Sequence, residues 1–120
     1  MKRALIITII FCLLPISPAW SWSKADTNRE IIYQGLHLID WGQTITIAQH
    51  PDCFCERNIF MGKHLSVATV NLYMGASAVI HLGLSTLVPK QYRSLWQWAT
   101  IIGTGYVVAR NHSLGIRINF

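Results

Sequence analysis

Between His64 and Arg110 the only charged side chains are Lys90 and Arg93, and they fall in the middle of the interval. A helix needs about 20 mostly apolar residues to cross a hydrocarbon core. Leu65 to Pro89 meets that length. Ser94 to Ala109 is marginal unless Tyr92 and Arg93 reach out from its end. A charge-poor half-chain divided in this way predicts a helical hairpin in a bilayer.

Composition agrees through its lack of charge more than through apolar excess. Hydrophobic residues make up 52% of the 120, close to a globular share, but charged residues make up 12%, about half of the roughly 25% usual in soluble domains. The length allows one domain. No internal repeat or low-complexity run is present, and the apolar content argues against disorder.

Residues 1–21 carry the three regions of a secretory signal: Met1-Lys2-Arg3, the apolar run Ala4 to Leu14, then Pro15, Pro18 and small residues around Ala19 and Ser21. An eleven-residue apolar core is short for a permanent span, which favours cleavage after Ala19 or Ser21 over a retained signal anchor. Cys12 lacks the small neighbours of a lipoprotein site. Without Lys2 and Arg3 the net charge falls from +5 to +3. The remaining basic residues are scattered singly, so nucleic acid is not an expected partner and anionic lipid headgroups are.

Residues 22–120 are expected to form an all-α domain, a small transmembrane bundle with helices at about 29–49, 66–87 and 91–110. The first starts near Asp26 and Thr27, with Glu30 as capping-box partner to Thr27, and stops at His50-Pro51. The second ends at Val88-Pro89, and a short tail after the third is closed by Gly115. In the first helix Gln34, His37, Asp40, Gln43, Thr44 and Thr46 interrupt the apolar residues; His37, Asp40 and Thr44 share one face. Asp40 at mid-span costs roughly 2.5–3.5 kcal/mol unless it faces protein or water.

Polar stripes mark the other two helices as well. Asn71, Ser77, His81 and Ser85 interrupt the second, and Arg93, Gln97, Thr100 and Thr104 line the third at three- and four-residue steps. Small residues, Gly75, Ala76, Ala78, Gly103 and Gly105, permit close helix approach. Tyr92, Trp96 and Trp98 are placed as an interfacial aromatic belt. An inward polar face therefore includes Asp40, Gln43, Thr44, His81 and Gln97. With the first helix entering from the exported side, Lys24, Arg29, Lys90 and Arg93 lie outside and Arg57, Lys63, Arg110 and Arg117 inside. Lys2 and Arg3 tip that balance toward this orientation.

Three constellations invite chemistry. His50, Cys53, Cys55 and His64 surround one loop, but Cys-x-Cys is tighter than usual zinc spacing and the histidines flank the pair, so free thiols are the plainer reading and no metal or cofactor is expected. Asp40 and His81 suit a proton relay or, more simply, an interhelical hydrogen bond. Ser77 and His81 stand four apart, and Gly75-Ala-Ser77-Ala resembles in outline the Gly-x-Ser-Gly of intramembrane serine proteases. The second glycine is missing and no oxyanion donor is evident. A non-enzymatic role is expected. Asn111-His112-Ser113 matches a glycosylation sequon, which matters only on a lumenal face.

Asp40-Trp-Gly-Gln43-Thr44 followed by Glu56-Arg-Asn58-Ile-Phe-Met-Gly62-Lys-His64 resembles a family of small bacterial and phage-borne integral membrane proteins of uncharacterised function. In that family an Asp-x-x-Gln-Thr helix precedes a Glu-x-Asn-Pro-x-x-Gly loop and two more helices. Ile59 stands in place of the proline, and Phe60 in place of a branched aliphatic. The resemblance covers most of residues 29 to 115. It implies a three-helix membrane fold, singles out Asp40, Gln43, Thr44, Glu56, Asn58 and Gly62, and names no substrate. The expected location is the cytoplasmic (inner) membrane of a bacterium, crossed several times. An accessory or interaction role in the cell envelope, phage-associated in some settings, is the function expected. A pore-forming or proton-conducting element of holin type is the alternative.

Overall fold

The computed structural model describes residues 21–53 and 65–120. All but Ser21 of the segment expected as a signal peptide, and Cys55, Glu56, Asn58, Gly62 and His64 of the loop, lie outside them. The described residues are all-helical: α1 (Lys24–Gln49), α2 (Val67–Leu87) and α3 (Lys90–Ser113). α1 is the central element, with α2 and α3 both packed along it and in sparser contact with each other.

α1 begins earlier than the capping residues suggested. Ser23, not Thr27, is the N-cap: its hydroxyl accepts from Asp26 N at 3.1 Å while Asp26 Oδ2 accepts from Ser23 N at 2.9 Å, a reciprocal box that satisfies two otherwise unpaired amides. Thr27 instead accepts from Trp22 Nε1 at 2.7 Å, and Glu30 points into the bundle, buried. At the other end the helix stops at Gln49, before His50-Pro51, as proline geometry requires. α2 starts on a Ser66 cap that accepts from Thr69 N at 3.1 Å and ends before Val88-Pro89.

α3 extends to Ser113, about a turn beyond the expected 110, with Arg110 and His112 in its last turn where the helix dipole favours cations. Gly115, at φ +83°, then reverses the chain. The tail is more than a short closure. Ile116 is buried, Asn119 N donates to Gly42 O at 3.1 Å, Thr46 donates to the Arg117 carbonyl, and Asn119 Nδ2 donates to Gln49. Residues 116–120 thus lie along the C-terminal half of α1. Gly42 makes room for them: a Cβ there would stand 2.5 Å from Ile118 Cγ2 and 3.0 Å from Phe120 Cε2. Gly42→Val is expected to dislodge the tail at a cost of about 1–3 kcal/mol. Faster carboxypeptidase release of Phe120, with helix content kept, is the measurement.

The apolar core is small and sits toward the α1–α2 loop, where Ile45, Val70 and Met74 are enclosed by Trp41, Leu65 and Tyr73. Elsewhere the usual distribution is reversed. Leu72 is 75% exposed and Ile102 68%, whereas Arg93 is 1% exposed and Gln97 is fully buried. Among the described residues one helix, α2, is long and apolar enough to cross a membrane by length and composition. Its 21 residues span about 32 Å at 1.5 Å per residue.

Candidate functional site

The polar faces of the three helices meet in one continuous interior. At the end where α1 begins and α2 gives way to α3, Arg93 is the hub. Its Nη1 donates to Asp26 Oδ2 at 3.3 Å and to Ser21 O at 3.1 Å; its Nη2 donates to Val88 O at 3.2 Å and Thr86 O at 3.4 Å. Thr86 lies in the last turn of α2 and Val88 is its C-cap, where helix carbonyls run out of later amides, so a guanidinium from α3 caps the end and meets the negative end of its dipole. The Trp22 ring lies 5.2 Å from the same guanidinium carbon, within cation–π range. Asp26 Oδ1 also accepts from Arg29 Nη2 at 2.6 Å. Gln97 completes the group, accepting from Arg29 Nε at 2.8 Å and donating to Asp26 O at 3.1 Å.

Asp26 sits in the first turn of α1, beside the α2–α3 turn. Burial pushes its pKa up, but the Ser23 amide and hydroxyl, then Arg93 and Arg29, outweigh that and hold the carboxyl below its ordinary value.

One turn further in, a second group takes one side chain from each helix. His81 Nδ1 of α2 faces Glu30 Oε1 of α1 at 3.0 Å, and its Nε2 faces Thr100 Oγ1 of α3 at 2.9 Å. Glu30 Oε1 also accepts from Gln34 Nε2 at 2.8 Å, and Gln34 reaches on to Ala78 O at 3.1 Å. Ser85 accepts from Trp96 Nε1 at 3.0 Å. The His81 ring stacks with both Tyr33 and Trp96, and Tyr33 with His37, which donates from Nε2 to Met74 O at 2.9 Å.

The inward placement of His81, Gln97, Gln43 and Thr44 follows the sequence pattern; all four are buried. Gln43 Nε2 donates across to Val108 O at 3.2 Å, whereas the Thr44 hydroxyl returns to its own helix at Asp40 O, 2.8 Å. Several pairings differ from expectation. The carboxylate at His81 is Glu30, not Asp40, which is half-exposed. Ser77 donates to Tyr73 O at 2.8 Å and makes no nucleophile–base pair with His81; the serine nearest that ring is Ser85, at 3.4 Å. Asn71 is exposed and accepts from Trp41 Nε1 at 2.8 Å. Of the proposed aromatic belt, Tyr92 and Trp98 face outward and Trp96 turns in. His50 Nδ1 lies 2.9 Å from Thr46 O of its own helix, and Cys53 is an exposed free thiol. The described residues contain no group of three His, Cys, Asp or Glu side chains placed to hold a metal ion.

From the sequence Glu30 is singled out only as a capping-box partner to Thr27, and Tyr33 not at all. Their signal is the series 26, 30, 33, 37, 40, 44, which continues the His37–Asp40–Thr44 face back to the start of α1 in steps of three and four. No protein-family model, curated protein or solved structure matches the chain.

Proposed function

We propose that this chain is an integral protein of a bacterial cytoplasmic membrane, with all three helices traversing the bilayer and the start of α1 on the exported side. Its role is that of a non-enzymatic accessory of the cell envelope, meeting lipid and another membrane protein, or a second copy of itself, through its apolar exterior. A phage-borne gene is one setting for such a product.

The observation that carries this reading is the reversed polarity. A water-soluble bundle gains stability by burying leucine and exposing arginine, and a contiguous apolar exterior in water promotes association. In hydrocarbon the preference inverts: leucine belongs outside, and polar side chains must find partners within the protein. Leu72, Val79 and Ile80 on α2 and Leu95, Ile102 and Tyr106 on α3 are all exposed, while Arg93, Gln97, His81 and Glu30 are buried and hydrogen-bonded. The 26 residues of α1 span about 39 Å, longer than a hydrocarbon core of about 30 Å, and its charge lies at the start, with Lys24, Asp26 and Arg29, so the excess is assigned to the first turn at the interface.

The pore-forming or proton-conducting alternative draws on one observation, the buried Glu30–His81 pair. Induced expression separates the two. An accessory protein is expected to stay in the membrane through carbonate extraction while a voltage-sensitive dye reports an intact potential. Collapse of the potential with growth arrest would favour the pore, and release by carbonate would remove the membrane reading altogether.

A further inference from the structure

Where Glu30, His81 and Thr100 meet, the hydrogens can be counted. Glu30 Oε1 accepts from Gln34 Nε2 at 2.8 Å and faces His81 Nδ1 at 3.0 Å. A carboxylate oxygen and a bare ring nitrogen repel at that separation, so one hydrogen lies between them. Across the ring, Nε2 is 2.9 Å from Thr100 Oγ1. The Thr100 hydroxyl has other acceptors in reach, Gln97 O at 2.9 Å and Trp96 O at 3.1 Å.

Two arrangements keep both ring nitrogens hydrogen-bonded. In the first, both ring nitrogens carry hydrogen: Nδ1–H donates to Glu30, Nε2–H donates to Thr100, and Thr100 donates to the Gln97 carbonyl. The ring and carboxylate are then neutral as a pair. In the second, Nε2 has released its proton, the Thr100 hydroxyl has turned to donate to it, and the pair carries one negative charge. The two differ by that one proton, exchanged with solvent, and by a hydroxyl rotation, and both ring nitrogens stay hydrogen-bonded in each.

We propose that Glu30, His81 and Thr100 form a binding site for one exchangeable proton in the bundle interior, with His81 Nε2 as the atom that takes it up and the Thr100 hydroxyl as the rotor that accommodates it. The titratable and charged groups around it are Tyr33 and His37 along the ring stack of α1, Asp26 and Arg29 one turn toward the helix start, Tyr73 further along α2, and Arg93 on α3. Arg29 and Arg93 are both engaged with Asp26, so the carboxylate facing His81 is balanced by the ring's own proton. The site gives the interior a chemical function that a set of interhelical hydrogen bonds lacks: it loads and unloads without moving a backbone.

The test is NMR of the full chain in lipid nanodiscs with 15N-labelled histidine, the His81 signals being assigned by their loss in His81→Gln. On raising the pH, His81 is expected to lose hydrogen from Nε2 and keep it on Nδ1, the tautomer that is the minor one for imidazole in water. In Glu30→Gln, checked for unchanged helix content by circular dichroism, a smaller share of His81 rings is expected to carry hydrogen on both nitrogens than in the parent under the same conditions, because the neutralising carboxylate is gone. A neutral His81 bearing hydrogen on Nε2, or a ring that keeps one protonation state wherever the fold persists, would overturn the proposal. So would a Glu30→Gln variant with the parent's share of doubly protonated His81. The site depends on the packed interior shared with the proposed function, but the two fail separately: carbonate extraction decides the membrane, and the tautomer decides the proton.

Discussion

Arg93→Ala is expected to destabilise the bundle by about 3–5 kcal/mol, the usual cost of removing one partner from a buried ion pair. The loss has three parts. Asp26 keeps Arg29 but loses its fully buried partner, the carbonyls of Thr86 and Val88 at the end of α2 lose their donor, and the Ser21 carbonyl loses its own. Lysine at 93 is expected to recover only part of this, since one ammonium cannot serve the acceptors that the planar fork reaches. The double variant Asp26→Asn with Arg93→Met is expected to lose less than Arg93→Ala, because it strands no buried carboxylate, and Arg29, which is partly exposed, keeps Gln97. Unfolding in mixed micelles, followed by the loss of near-UV ellipticity from the tryptophans, gives the comparison.

The pair also fixes a pH dependence. The Asp26 carboxyl is held below its ordinary value in the folded chain, so it binds protons more readily unfolded than folded. Its contribution is complete above the ordinary carboxylate range and is lost as pH falls through the lowered folded value. The stability gap between the parent and Asp26→Asn is therefore expected to be constant from neutral to mildly acidic pH and to close only in strong acid.

His81→Leu carries the second large effect, again about 3–5 kcal/mol. Glu30 loses the group it faces at 3.0 Å and Thr100 the one at 2.9 Å, while the Tyr33 and Trp96 rings lose the imidazole they stack on. Leucine is near enough in volume to fill most of the space, so the cost is chiefly electrostatic. The signature is its rescue: Glu30→Met added to His81→Leu removes the stranded carboxylate and is expected to restore most of the lost stability, measured in the same micelle titration. If the double variant is as weak as the single, burial of charge is not what the pair manages.

How far these sites could be read from the chain depended on which contacts are local. Helix ends were legible where proline enforces them, at His50-Pro51 and Val88-Pro89, because that restriction acts on the neighbouring residue. The Ser23 cap was hidden because Asp26, Thr27 and Glu30 offer the same residue types a turn later. Helical faces were legible too: Arg93, Gln97 and Thr100 turn inward as their spacing dictates. What periodicity cannot supply is the vertical register between two helices. It put His37, Asp40 and Thr44 on one face of α1 without saying which residue of that helix stands level with His81, and packing decided for Glu30, a turn or more nearer the start. The tail fold-back was out of reach for the same reason, since the contacts of Gly42 with Ile118 and Phe120 join residues far apart in sequence.

The most direct measurement of the central claim, that a bundle with a polar interior and an apolar exterior sits across a bilayer, is sidedness along the chain. Paired alkaline phosphatase and green fluorescent protein fusions after Ala25, Phe60, Lys90 and Phe120 report it. Phosphatase activity is expected after Ala25 and Lys90, and fluorescence after Phe60 and Phe120, giving three crossings with Asp26 and Arg93 at the exported face. The same reporter active at all four positions would contradict the claim, as would Phe60 and Lys90 on one side, because α2 lies between them.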